Sequence, residues 1–122
     1  IFLYFEENDF CMRSHKVNKN YQINNIKVKH NVGNSVETTS EEEKLQQNNL
    51  RTWHFIWSKF YYYKKHYGFS LALIYFIPII IRINFRIFLY TLKKDKINVE
   101  KYKVRKSGLY SSILNKKSFK RV

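Results

Sequence analysis

The sequence predicts an α/β fragment: the last strands of an α/β sheet, followed by an amphipathic, largely helical C-terminal region. Three observations carry this expectation. Ile1–Phe5 is a short apolar and aromatic run, as in a strand buried on both faces. Ile26–Lys27–Val28–Lys29 alternates apolar and polar at the period of a half-exposed strand. From Ser40 onward, large apolar residues recur at spacings of three and four, the period of an amphipathic helix. The division falls at residues 1–40 and 41–122.

Taken in order, the first strand exits into Glu6, Glu7 and Asp9, where open α/β sheets place their ligands. A helix is expected from Glu6 to about Lys16, with acids in its first turn and Arg13, His15 and Lys16 at its end, as the helix dipole prefers. Glu6, Asp9 and Arg13 share one face, and Asp9 and Arg13 are spaced for an ion pair; Glu7 points elsewhere. Asn18–Asn20 is a turn signal and Asn31–Ser40 a polar loop. Ser40 then caps a long helix, with Glu43 at the capping-box position and Gly68 as its stop. Leu50, Trp53, Trp57, Phe60, Tyr61 and Lys64 form one face of it. That face suits either a membrane interface, with rings at headgroup depth, or core packing against a further domain.

Phe69–Ile81 is apolar apart from Ser70 and carries Pro78. At thirteen residues it falls short of the roughly 20 that a span needs. Extension to Leu92 reaches that length but encloses Arg82 and Arg86, so a kinked helix or helix pair lying in the membrane interface is favoured over a true span. Beyond Thr91 a basic segment runs to Lys106, Ser107–Gly108 makes a break, and Leu109–Leu114 forms a short element. The chain does not begin with Met and opens mid-strand, which predicts a piece of a longer polypeptide; it shows no signal peptide.

Net charge is +14, and it is unevenly placed. Residues 1–50 hold six Lys/Arg against seven Asp/Glu, whereas residues 51–122 hold seventeen against two. The basic part is also rich in Trp, Tyr, Phe and Ile, which predicts a surface that lies against anionic lipid. A nucleic-acid partner is not expected, because a soluble binder would have to bury that apolar run. A single Cys11 excludes an internal disulfide and any Cys-based zinc site.

The run FLYFEENDFCMR resembles a segment of family 2 glycosyltransferases with the GT-A fold, especially bacterial rhamnosyltransferase-like members: an aromatic strand, then acid-acid-x-Asp-Leu-Cys-x-Arg. The resemblance implies that the second acid is the general base that deprotonates an acceptor hydroxyl. Glu7 stands there, where the family usually carries Asp, and Glu6 and Asp9 remain alternatives. A second stretch, IKVKHNVGNS, is similar to the family's strand ending in His before a Gly- and Ser-containing loop. By that resemblance His30 is a late metal or diphosphate contact, a ligand for Mg²⁺ or Mn²⁺ at the leaving diphosphate, and Arg13, Gly33 and Ser35 bind substrate or diphosphate. A third and looser match covers RTWHFIWSKFYYYKKHYG, with its Lys-His-x-Gly ending, and the late SGLYSSILNKK.

The resemblance therefore implies an inverting transferase in cell-surface polysaccharide synthesis. Its partners would be a nucleotide-sugar donor, a lipid-linked or glycan acceptor and an anionic membrane, and its place the cytoplasmic face of the cell membrane, peripheral or with one embedded segment. The sequence contains no Gly-rich phosphate loop and no Asp-x-Asp, so the donor site would lie elsewhere. The rival expectation is a non-enzymatic basic amphipathic protein that associates with membranes.

Overall fold

Glu6, Glu7 and Asp9 open the first helix of this computed structural model, which describes residues 4–27, 29, 40–118 and 120. Helix α1 runs Glu6–His15, with its acids in the first turn and Arg13 and His15 in the last, so both ends complement the macrodipole. Tyr4 and Phe5 precede it with φ of 65° and 63°, a left-handed pair that turns the chain sharply into the helix. That backbone is not extended, so the described end of the expected first strand is a turn.

Helix α2, Glu41–Tyr67, begins and ends where its signals lie. Ser40 Oγ accepts from the Glu43 N–H at 3.2 Å, and Gly68, at φ 87°, ends it. One residue later helix α3 starts and runs Phe69–Leu92 as a single element through Pro78, rather than as two helices. Its 24 residues extend about 36 Å at 1.5 Å each. It is long and apolar enough to cross a membrane, and only 17% of its most apolar stretch is buried within the fold. Asp95 caps helix α4, Lys96–Ile113, by accepting from the Asn98 N–H at 3.0 Å. Asn115, left-handed at φ 59°, closes it, and the Lys116 N–H returns to Ser111 O at 2.8 Å.

α2, α3 and α4 pack mutually into a small helical bundle. One part of the core joins Ile56 and Phe60 of α2 to Ala72, Phe76 and Ile83 of α3 and Leu109 of α4. The other joins Trp53 and Trp57 to Val104. The aromatic face of α2 is thus the core of this chain itself, with Trp53 and Phe60 fully buried against its own neighbouring helices.

The expected α/β fragment is overturned: the fold is all-helical, with no strand or sheet among the described residues. Ile26 and Lys27 are exposed and irregular, and Val28 and residues 30–39 lie outside the described set. The physical reason lies in backbone hydrogen bonding. A strand needs a neighbouring strand for its ladder, and two short candidate runs do not make a stable sheet. A helix satisfies its backbone within itself, and three long ones here bury each other's apolar stripes.

The expected break at Ser107–Gly108 is also corrected, because α4 continues through it. Gly108 is there for close approach. A Cβ at that position would stand 2.6 Å from Trp53 O and 2.9 Å from Ile56 Cγ2. Beside it, Trp53 Nε1 donates to Ser107 Oγ at 3.3 Å, so the Ser-Gly pair is the seat on which α2 rests.

Candidate functional site

The N-terminal acidic cluster separates into two kinds of carboxylate. Glu6 and Glu7 are exposed on the first turn of α1, whereas Asp9 is buried, at 6% exposure. α1 is laid on α2 by aromatic contacts: Tyr4 and Phe5 each sit 5.6 Å from the Phe55 ring, and Phe5 lies 5.5 Å from Tyr62. This brings Asp9 to the last turn of α2. There Lys65 Nζ straddles its carboxylate, 2.6 Å from Oδ1 and 2.8 Å from Oδ2. His66 Nε2 lies 2.8 Å from Oδ1, and Arg13 Nε donates to Oδ2 at 3.1 Å. Tyr62 covers the imidazole, with ring centroids 4.6 Å apart.

Burial by itself would raise the Asp9 pKa. The hydrogen bonds from Lys65, His66 and Arg13, with the Lys65 charge, outweigh it and hold the group at about 2. An ionised carboxylate only accepts, so His66 Nε2 carries a proton toward it. A carboxylate held this way is a poor proton acceptor at neutral pH. Asp9 is chemically a clamp, which leaves Glu7 and Glu6 as the cluster's accessible carboxylates.

The sequence placed Asp9 and Arg13 on one face as an ion pair, and they form one. It did not reveal that Lys65 and His66 complete the cluster. Both lie in the Lys-His-x-Gly stretch, but no spacing rule links them to a carboxylate 56 and 57 residues earlier. His30, Gly33 and Ser35 lie outside the described residues. Among the described residues no group of three or more His, Cys, Asp or Glu side chains could hold a metal. The one buried carboxylate there is already surrounded by cationic partners, so these residues do not fit Mg²⁺ or Mn²⁺.

A second polar cluster ties the C-terminal tail to α2. His54 is buried, with Nε2 2.9 Å from Lys120 O and Nδ1 2.9 Å from Ser118 Oγ. Trp57 Nε1 donates to Lys116 O at 3.1 Å. Lys64 donates to Ser112 O at 3.3 Å and to Asn115 Oδ1, placing a cation at the C-terminal end of α4. Burial lowers the Lys64 pKa.

No family model, no curated protein and no solved structure matches this chain.

Proposed function

We propose that this chain carries the acceptor-side and membrane-facing part of an inverting glycosyltransferase, acting at the cytoplasmic face of a membrane on a lipid-linked or polysaccharide acceptor. The observation that carries this reading is the Asp9 clamp. Asp9 and Arg13 belong to the first stretch that resembles family 2 glycosyltransferases, and Lys65 and His66 to the third; the two stretches meet at 2.6–2.8 Å. That contact between the two stretches is what supports the reading. The clamp also holds the α1 first turn, and with it Glu7, in one place.

In the reaction, Glu7 accepts the proton of the acceptor hydroxyl. The hydroxyl oxygen attacks the anomeric carbon of the nucleotide-sugar, and the bond to the diphosphate breaks with its electron pair leaving on the diphosphate. A single displacement inverts the anomeric centre. The donor site is not formed by the described residues, and any divalent metal at the diphosphate would need ligands other than these. The exposed apolar stripe of α3 (Leu71, Ile74, Ile77, Ile81, Phe85, Phe88 and Leu92) supports contact with the lipid that presents the acceptor.

Glu7→Gln in the full-length polypeptide should abolish transfer while leaving donor binding largely intact, whereas Glu6→Gln should retain most activity. Normal turnover by Glu7→Gln would refute the assignment. The α3 stripe taken alone favours a second reading, a non-enzymatic basic amphipathic protein at the membrane. That reading is separated from the first by nucleotide-sugar turnover in the same preparation.

A further inference from the structure

A cavity of about 350 Å³ opens where α2, α3 and α4 meet, and its polar lining carries one sign of charge. Lys59 comes from α2, Arg82 from α3, and Arg105 with Tyr102 from α4; the other four lining residues are apolar. No carboxylate lines the cavity, and none of the three cations makes an ion pair among the described residues. Arg105 Nε is fully shielded from solvent and has no hydrogen-bond partner. A buried donor of a charged group without an acceptor carries its full desolvation cost. Three cationic side chains drawn from three helices around one cavity also repel each other, unless an anion joins them.

We propose that this cavity is a phosphate-binding site, with the Arg82 and Arg105 guanidiniums and the Lys59 ammonium supplying donors to phosphate oxygens. The donor forks of arginine match phosphate geometry, and an anion among the three cations supplies the countercharge that the described residues do not. The phosphate can be that of a lipid headgroup or a soluble one. Arg82 lies on α3 next to Ile81, a member of its exposed apolar stripe, so a headgroup phosphate could enter the cavity with its acyl chains along that stripe. The site stands on its own lining and does not depend on the glycosyl-transfer reading.

The test uses the full polypeptide and two probes: inorganic pyrophosphate in calorimetry, and vesicles of phosphatidylcholine with or without phosphatidic acid in co-sedimentation. Saturable binding to either probe is expected. Arg82→Gln/Arg105→Gln should weaken it at least about tenfold, while the charge-matched Lys93→Gln/Lys101→Gln should not. Loss on phosphatidic acid vesicles alone assigns the site to lipid, and loss on pyrophosphate assigns it to a soluble phosphate. Arg82→Gln by itself changes an exposed side chain and keeps the test decisive if Arg105→Gln does not fold. Equal binding by both double variants, or no saturable binding of either probe, would overturn the proposal.

Discussion

Asp9 Oδ1 lies 2.6 Å from Lys65 Nζ, and through this contact the last turn of α2 holds the first turn of α1. The pair is asymmetric: the Asp9 side chain is 9% exposed and that of Lys65 37%. The carboxylate is therefore the buried hub, and its cations reach it from a wetter rim.

Replacing the hub should free α1. Asp9→Asn keeps the shape but removes the charge, leaving His66 beneath Tyr62 without its anion. With Lys65 and Arg13 partly solvated, the loss should be about 1–2 kcal/mol, below that of a fully buried pair. Hydrogen exchange should show faster opening in α1 and little change in α2–α4. The pH dependence follows from the depressed Asp9 pKa. A carboxyl held at about 2, against 3.8 when unperturbed, contributes stability that is complete above about pH 4 and is lost as pH falls through 2. Protection of the α1 amides, taken relative to their intrinsic exchange rates at each pH, should fall over that window in the native chain, and Asp9→Asn should remove the step.

Gly108→Ala should destabilise the bundle by about 1–3 kcal/mol, because the new methyl meets Trp53 O, a backbone atom that cannot swing aside. The midpoint of urea unfolding reads this directly. Gly68→Ala makes a useful contrast. Nothing lies within 4 Å of its Cβ position, so its penalty of about 1–3 kcal/mol comes from the backbone alone, φ 87° with ψ 163° being a conformation essentially reserved for glycine. A loss well below about 1 kcal/mol at Gly108 would mean that α2 and α4 are not in this close contact.

The exposed stripe of α3 should bind lipid independently of the core. Ile81 is 63% exposed, so Ile81→Asp should leave the urea midpoint nearly unchanged. It should weaken vesicle association by about 2.5–3.5 kcal/mol, the insertion cost of a buried charge. Phe76, fully buried on the opposite face, should do the reverse, with Phe76→Ala costing about 3–5 kcal/mol of stability through its cavity. Vesicle co-sedimentation beside denaturant melts distinguishes the two faces.

The helix signals could be read locally because their chemistry is local. Ser40 and Gly68 mark the ends of α2, the acids and bases of α1 follow its dipole, and Asp9 with Arg13 are one helical turn apart. The error came where a short pattern stood in for a long-range partner. Ile26–Lys29 has the alternation of a strand, but alternation does not provide the second strand that would bond to it, and Tyr4–Phe5 turns left-handed instead of extending. Ser107–Gly108 reads as a break for a similar reason. Glycine signals a loop locally, and only the approach of Trp53 shows why it sits inside a helix.

The sequence alone therefore determined the extent of α2 and the charge imbalance between the two parts; that α3 runs unbroken through Pro78 came from the structure. The first two depend on composition and on neighbours within one helical turn. The tertiary structure decided which aromatic face is core and which apolar face is exposed. It turned Asp9 from one of three acids into a clamp on Lys65 and His66, and gathered Lys59, Arg82 and Arg105 around one cavity. Those outcomes join residues tens of positions apart, and only the packing of α2 against its neighbours brings them together.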